Sequence, residues 1–237
     1  MQSLYTFVSP PSRCGYLPDR NWSLRYEVVS ELTPAEFGVR LERGWRRFGF
    51  SLFQPACAGC RECQPLRVDV ARFRPSDTQK RVWKQNVGEV RVVVGEPCVT
   101  DEKLALYDRF HSFQADFKGW PERGPESDSD YAETFVDNPF PVQEWCYYLG
   151  DRLIGVGYVD VVPSAVSAIY FFYDPEERLR SLGVFNVLSI LHHATEQRVP
   201  HLYMGFYVAG CRSLDYKAKY RPNEVLTPHG DWQTFRE

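Results

Sequence analysis

The stretch EWCYYLGDRLIGVGYVDVVPSAVSAIYFFYD, residues 144–174, decides the fold of this chain. Its first apolar segment ends at the dipeptide Gly-Asp at residues 150–151, which is typical of a tight hairpin turn. The apolar run that follows ends at the Pro-Ser pair of residues 163–164, which turns the chain into a third run at residues 165–173. The stretch therefore predicts three consecutive antiparallel strands.

A helix and one more strand follow the three predicted strands. Apolar residues recur at helical spacing over residues 182–197, and residues 201–206 form another short apolar run. A meander followed by a helix and a strand is the order of the acyl-CoA-dependent N-acetyltransferase core. We therefore predict an α+β fold with an acetyltransferase-like (GNAT) C-terminal domain. Arg180 and Gly183 lie where the helix of that core offers its N-terminus to an anionic donor.

The first part of the chain is rich in prolines, glycines and cysteines and predicts short strands joined by tight loops. We predict a smaller cysteine-bearing N-terminal region at residues 1–73 and the acetyltransferase-like domain at residues 74–237. Helices are predicted at residues 34–47, at residues 76–87 and from Thr100 onward, each preceded or opened by a residue that caps helices well.

Composition narrows the class of protein. The 237 residues carry a formal net charge of −3, so any RNA contact has to come from a local basic patch. No apolar stretch reaches the roughly 18 residues that a membrane helix needs. The start of the sequence lacks the pattern of a secretory signal, so we expect a cytoplasmic protein with no membrane contact and with reduced cysteines.

Three of the seven cysteines form the motif Cys57-Ala-Gly-Cys60-Arg-Glu-Cys63. Three-residue spacing can turn three thiolates toward one centre, and Cys14 is the natural fourth ligand. The spacing fits both zinc and an iron–sulfur cluster, so the metal stays open. We expect the other cysteines to be plain small residues.

Two groups of cations are candidates for anion binding. Arg46 and Arg47 follow each other between aromatic residues and glycines, a setting that suits the fork-like grip of arginine on carboxylate or phosphate. Lys80, Arg81 and Lys84 form one basic run on a predicted helix, which could contact an RNA backbone or be a solvated face.

Tyrosines collect at the ends of the last two predicted strands. A side-chain period of two puts Tyr170 and Tyr173 on opposite faces, unless the strand bulges or ends before Tyr173. The same period predicts that Tyr203, Gly205 and Tyr207 share one face of the last strand.

These segments, taken in order, resemble the arginyl-tRNA–protein transferase family, and more closely its short bacterial members, the aspartate/glutamate leucyltransferases. The matching segments span nearly the whole chain and are RCGYLPDR (13–20), RGWRRFG (43–49), FQPACAGCRECQPLRV (53–68), DTQKRVWKQN (77–86), LIGVGYVDVVPSAVSAIYFFYDPEERLRSLGVF (153–185) and LYMGFYVAGCRSLDYKAKYRP (202–222) followed by Asn-Glu.

The resemblance implies transfer of Leu or Arg from aminoacyl-tRNA, as co-substrate, to proteins whose first residue is Asp or Glu. That modification marks them for degradation in the N-end rule (N-degron) pathway, so downstream degradation machinery is an implied partner. The resemblance also implies an iron–sulfur cluster or zinc at Cys14 and the three-cysteine motif. The short length favours Leu as the donor amino acid.

The chemistry needs alignment of a free α-amine with an ester that is already activated. We expect a pocket that relays the amine proton and holds the developing oxyanion, lined by Tyr170, Tyr173, Asp174 and Tyr207. The acceptor's acidic side chain is expected to pair with Arg46, Arg47 or Lys217. The predicted tRNA contacts are Lys80, Arg81, Lys84 and Arg180. For Asp174, a helix cap is the commoner role of such a residue.

Two other functions remain open at this point. An acetyl-CoA-dependent acetyltransferase would need a fuller glycine pattern than Gly183 provides. A non-enzymatic RNA-binding or metal-sensing module would need a basic stripe, which the net charge of −3 disfavours.

Overall fold

The computed structural model describes residues 1–235 of the chain. Strands within this part are β1 (Gln2–Val8), β2 (Ser12–Arg13), β3 (Asn21–Trp22), β4 (Leu24–Glu31), β5 (Arg46–Phe48), β6 (Ser51–Pro55), β7 (Gln64–Asp69), β8 (Val90–Gly95), β9 (Val142–Leu149), β10 (Arg152–Val162), β11 (Ala165–Tyr173), β12 (His201–Tyr207), β13 (Asn223–Leu226) and β14 (Trp232–Thr234). The α-helices are α1 (Pro34–Glu42), α2 (Asp77–Asn86), α3 (Asp101–Lys118), α4 (Asp128–Tyr131) and α5 (Leu182–Glu196). A π-helical turn (Ala132–Val136) and two 3-10 helices (Pro175–Arg180 and Asp215–Lys219) complete the elements.

The strands form two main sheets. The central sheet has eight strands in the order β14-β13-β7-β12-β11-β10-β9-β8, and the N-terminal sheet has four in the order β1-β4-β6-β5. The predicted meander is confirmed, because β9, β10 and β11 pair antiparallel in sequence order. The fold class is mixed α and β. The N-terminal region also contributes to the central sheet, since β7 lies between β12 and β13.

Short-range capping explains where the helices begin. The Thr33 side chain accepts a hydrogen bond from the backbone of Glu36, whose own side chain accepts one from the Thr33 backbone. Ser76 and Gln79 make the same capping box at α2, and Thr100 caps α3. The helix predicted at residues 34–47 is shorter than expected, because Gly44 has a positive φ of 81° and the chain then enters β5.

Two apolar layers cover the central sheet. One layer packs residues of α1, α3 and the N-terminal sheet against it, including Phe37, Leu52 and Leu106. The other packs residues of α2 and α5, including Val82 and Phe185. We call these sides the α3 face and the α5 face of the central sheet.

Among residues 1–235, no helix combines the length and the apolar character that crossing a lipid bilayer requires.

A buried ion pair ties the N-terminal sheet to the central sheet. The Arg47 guanidinium, on β5, pairs with the Asp160 carboxylate, on β10, and both side chains are at most 1% exposed. Arg47 also donates to the Asn138 side chain at 2.7 Å and to the Gly49 carbonyl at 2.8 Å. A buried charge of this kind is stable only while its partner is present.

We predict that Asp160→Asn lowers the free energy of unfolding by about 3–5 kcal/mol, because it leaves the Arg47 charge buried and uncompensated. Urea-induced unfolding followed by circular dichroism measures this change. Asp151→Asn, in the exposed turn between β9 and β10, is the matched control and should unfold like the wild type. Equal unfolding midpoints for the two variants would contradict the structural role of Asp160.

Candidate active site

The central feature of the site is a gap between two parallel strands. β11 and β12 pair only between residues 165–167 and 201–203, and no further pairing joins them toward their C-terminal ends. Each strand is irregular where the pairing stops: the register of β11 shifts beside Ala168, and that of β12 shifts after Tyr203. We call the space between the strands beyond these pairs the strand gap.

Arg46 bridges the two strands at the start of the gap. On the β11 side, its guanidinium donates to the Ser167 hydroxyl at 2.9 Å and to the Ala168 carbonyl. On the β12 side, Arg46 approaches the backbone of Gly205: a β-carbon built onto this glycine would lie 3.6 Å from Arg46 Nε. A β-carbon at this distance would make ordinary van der Waals contact, so it is the φ of 79° that favours glycine at residue 205.

Lys217 brings a second cation to the same point. It lies on the 3-10 helix at Asp215–Lys219 and donates to the Phe206 carbonyl at 2.8 Å. Its Nζ would lie 3.5 Å from the same added β-carbon at Gly205. Burial, with a smaller contribution from the charge of Arg46, lowers the pKa of Lys217 to about 7.

Positive charge exceeds negative charge at this point. Asp160 is already paired with Arg47, and its hydrogen-bond link to Arg46 runs through Ser167, whose hydroxyl lies 3.4 Å from the Asp160 carboxylate. Within residues 1–235, no carboxylate lies within 4 Å of the charged nitrogens of Arg46 or Lys217. The Arg46 guanidinium, together with the Lys217 amine in its protonated form, can pair with an anion such as a carboxylate.

The prediction that Tyr203, Gly205 and Tyr207 share one face is wrong. Tyr203 belongs to the apolar layer on the α3 face, whereas Tyr207 belongs to the layer on the α5 face. Between residues 203 and 206, β12 advances three residues while β7 advances two, from Arg67 to Pro65. This extra residue is a bulge, and it reverses the alternation of side chains.

Tyr170 lies on the α3 face and is largely buried among aromatic rings. Its hydroxyl is 3.0 Å from His111 Nε2 on α3, and its ring packs against Phe135 and Phe48. Tyr173, at the end of β11, contacts Phe171 and also Phe110 of α3. Tyr207 contacts Phe235 on the α5 face. The structure therefore does not bring the predicted catalytic tyrosines together on one face, because Tyr170 and Tyr207 lie on opposite sides of the central sheet.

Asp174 caps the 3-10 helix at Pro175–Arg180. Its Oδ1 accepts a hydrogen bond from the Glu176 backbone at 3.1 Å, and its Oδ2 lies 2.6 Å from Arg152 Nη1. These contacts occupy the carboxylate and fit the commoner role expected of this residue.

Three polar residues described here were not among the predicted site residues: His111, Asp160 and Ser167. His111 follows Tyr107 by four residues on α3, so the two rings lie on one helical face with their centroids 4.2 Å apart. Both line a small polar cavity together with Asp108, Ser112, Arg123, Gly124, Pro125 and Glu126. The i, i+4 spacing of two polar aromatic residues is the signal that could have identified this cavity.

The basic residues of α2 lie on the α5 side of the molecule. Lys80, Arg81 and Lys84 are exposed, while Trp83 packs against Phe185 of α5 with ring centroids 5.5 Å apart. The Asn86 side chain donates to the Arg180 carbonyl at 2.9 Å, which places Arg180 beside the end of α2. The structure therefore brings the four predicted tRNA contacts into one region, although Glu89 and Glu177 pair with Arg180.

The four predicted metal ligands line one largely apolar cavity: Cys14, Cys57, Cys60 and Cys63. Backbone N–H groups of Tyr16 and Ser23 point at the sulfurs of Cys14 and Cys57, at 3.4 and 3.5 Å. Burial, and then the nearby thiol of Cys57, raise the pKa of Cys63 to about 12. In residues 1–235, no three His, Cys, Asp or Glu side chains already converge as metal ligands do. The donor set fits zinc or an iron–sulfur cluster, and binding would require the thiols to close in.

Comparison with known proteins identifies the family. The family model described as arginine-tRNA-protein transferase, N terminus, matches residues 12–81, and the corresponding C-terminus model matches residues 102–227. An aspartate/glutamate leucyltransferase of Campylobacter jejuni is 34% identical over 221 residues, which cover 93% of this chain and 92% of the relative. The protein of the same name from Helicobacter hepaticus is 32% identical over 224 residues, covering 94% and 92%.

A solved structure shares the fold. It is the C-terminal DUF2156 domain of a protein assigned as a lysylphosphatidylglycerol synthetase from Agrobacterium fabrum, with a TM-score of 0.50 and 15% sequence identity. The match covers 74% of this chain and 59% of that chain, and at this identity it shows a likeness of fold alone. The two family models and the relatives confirm what the sequence motifs indicated. The chain belongs to the arginine-tRNA-protein transferase family and is an aminoacyltransferase that uses aminoacyl-tRNA.

Proposed function

We propose that the chain transfers leucine from leucyl-tRNA to the N-terminus of proteins that begin with Asp or Glu. The observation that carries the proposal is the pair of buried cations, Arg46 and Lys217, beside Gly205 at the start of the strand gap. An acidic first residue is the anion that such a site would take from an acceptor protein. The relatives at 32–34% identity are named for leucyl transfer, which favours leucine over arginine as the donor.

The strand gap supports an acetyltransferase-like (GNAT) arrangement of the C-terminal domain. The antiparallel meander, the following helix and the diverging parallel strands occur in the predicted order. We divide the chain into a cysteine-bearing region at residues 1–73 and a transferase domain at residues 74–237. The two family models, which separate between residues 81 and 102, support two functional parts.

The two substrates would approach the gap from opposite faces of the central sheet. On the α5 side, Lys80, Arg81, Lys84 and Arg180 form the region that we assign to the acceptor arm of tRNA. The β5 strand, which carries Arg46, lies on the α3 side and would receive the acceptor protein. Arg47 is occupied by Asp160, so we assign the acceptor's carboxylate to Arg46 and Lys217.

The reaction forms a C–N bond between the acceptor's α-amine and the leucyl carbonyl and breaks the ester C–O bond to the tRNA ribose. One proton passes from the amine to the leaving ribose oxygen. We assign Tyr170 to relay this proton on the α3 side, and Tyr173 and Tyr207 to the walls that hold the ester near the developing oxyanion. Asp174 would hold the chain at the end of β11 in place. Orientation of this kind can supply roughly 7–11 kcal/mol of the barrier.

Transfer assays with the wild-type protein test the donor and the acceptor together. Radiolabelled Leu-tRNA or Arg-tRNA is mixed with peptides that begin with Asp, Glu, Asn or Gln, and labelled peptide is measured. We predict product from Leu-tRNA with the Asp and Glu peptides, and at least about tenfold less with their amides, because only the carboxylates complement two cations. Product from Arg-tRNA alone would overturn the leucyl assignment, and equal transfer to amide peptides would overturn the acceptor assignment.

Lys217→Met tests the cationic site directly. We predict that kcat/KM for the Asp peptide falls roughly tenfold to a hundredfold, mostly through KM, since a charged hydrogen bond contributes about 1.5–3 kcal/mol. The Asn peptide should lose much less. Lys219→Met is the matched control, because Lys219 lies on the same 3-10 helix with an exposed side chain. The assignment fails if Lys217→Met leaves the ratio of Asp to Asn transfer unchanged.

We propose that Cys14, Cys57, Cys60 and Cys63 hold an iron–sulfur cluster or zinc. The support is their shared cavity and their four-thiol composition. A metal would neutralise thiolates that otherwise repel each other and would fix the loop between β6 and β7. Phe206 of β12 also lines this cavity. A metal that orders the loop would therefore also hold Phe206 in place beside the strand gap.

Protein purified without oxygen should contain iron or zinc, measured by elemental analysis. We predict that Cys60→Ala loses most of that metal, because it removes one of four ligands. Cys98→Ala, which changes an exposed thiol outside the cavity, should keep it. A wild-type preparation without metal, or equal metal in both variants, would contradict the ligand assignment.

We place the protein in the cytoplasm, where charged tRNA is available. Its product, a protein with a new N-terminal leucine, would pass to the degradation machinery of the N-end rule pathway. Family membership and the resemblance of the sequence motifs support this placement.

A further inference from the structure

The strongest unassigned feature is a hydrogen bond between two residues that are 59 positions apart. His111 Nε2 on α3 lies 3.0 Å from the Tyr170 hydroxyl on β11. The two rings are nearly parallel, with an angle of 15° between their planes. Tyr170 is the residue assigned above to proton relay, so its hydroxyl is the polar atom whose orientation matters most.

The surroundings of His111 keep its ring uncharged. It packs against the rings of Tyr107 and Trp120, with centroids 4.2 and 5.7 Å away. Burial and the nearby guanidinium of Arg123 outweigh the carboxylate of Asp108 and lower the pKa of His111 to about 4. A neutral imidazole has one nitrogen that accepts a hydrogen bond and one that donates.

We propose that His111 is a positioning residue for Tyr170. Its Nε2–H donates to the tyrosine oxygen, which leaves the Tyr170 O–H free to give its proton to the leaving ribose oxygen while the other oxygen lone pair takes the proton of the acceptor amine. This inference rests on the proposed function, because that function assigns the proton relay to Tyr170. Without the bond, the tyrosine hydroxyl would rotate about its C–O axis and spend only part of its time in the productive orientation.

A purely structural role for His111 makes a different prediction. If the ring only filled space between Tyr107, Trp120 and Tyr170, phenylalanine would serve as well or better, because it buries no polar nitrogen. His111→Phe keeps the shape of the ring and removes the hydrogen-bond donor. His111→Gln keeps a polar atom near the position of Nε2.

The experiment is a double-mutant cycle of His111→Phe and Tyr170→Phe, with leucyl transfer to an Asp peptide as the readout. We predict that each single variant lowers kcat about tenfold to a hundredfold with KM for the peptide nearly unchanged. The double variant should be no slower than Tyr170→Phe alone, because His111 acts only through that hydroxyl. His111→Gln should recover part of the loss, and His229→Phe, at an exposed loop position, should match the wild type.

Three other outcomes would each overturn the inference. If Tyr170→Phe slows transfer but His111→Phe does not, the inference fails and the proposed function stands. If Tyr170→Phe has no effect, the assigned role of Tyr170 fails, and the inference fails with it. If the losses multiply in the double variant, His111 acts apart from Tyr170 and the inference is again overturned.

Thermal unfolding checks that each variant is folded. If His111→Phe does not fold, His111→Ala replaces it, with imidazole added to the assay. The polar cavity beside His111 gives free imidazole a route to the vacated space. Recovery of kcat by imidazole in His111→Ala, and its absence in the double variant with Tyr170→Phe, supports positioning; recovery in neither overturns it.

Discussion

The buried carboxylate of Asp160 controls the arrangement of charge in this protein. It pairs with Arg47 and reaches Arg46 through the hydroxyl of Ser167. This network fixes the β5 strand of the N-terminal sheet against β10 and β11 of the central sheet. Because one carboxylate serves two arginines, the charge of Arg46 is only partly compensated. The same contacts that hold the two sheets together therefore leave a positive site where β11 and β12 separate.

Much of the fold was predictable because its signals are local. Thr33 and Ser76 begin helices through hydrogen bonds that span three residues, and a hairpin turn lies at residues 150–151 as expected. Such signals depend only on residues that are close together in the sequence. The three strands of the meander and the helix α5 were therefore predicted to within a few residues, and the family resemblance agreed with them.

The parts that could not be predicted depend on residues that are distant in the sequence. A period of two assigns faces only along a regular strand, and the bulge near Gly205 reverses the side chains of β12 after Tyr203. Whether an arginine binds substrate or a buried carboxylate depends on its partner, and Asp160 lies 113 positions from Arg47. Likewise, the neighbour of Tyr170 is a histidine on another element. Sequence spacing alone predicts none of these contacts.

The net charge of −3 says little about substrates here, because the positive charges that we assign to substrate binding are few and lie on both sides of the central sheet. Exposed cations on α2 lie on the α5 side, whereas Arg46 reaches the gap from the α3 side. Charges on α2 can attract a polyanion only through water, so their effect is screened beyond about 10 Å at 0.1 M salt. Arg46 and Lys217 are buried and much less screened, which is why we assign them, and not the cations of α2, to the acceptor's carboxylate. In the proposed assignment, the central sheet separates the region for the RNA phosphates from the site for the acceptor carboxylate, so the phosphates would not compete for the buried cations.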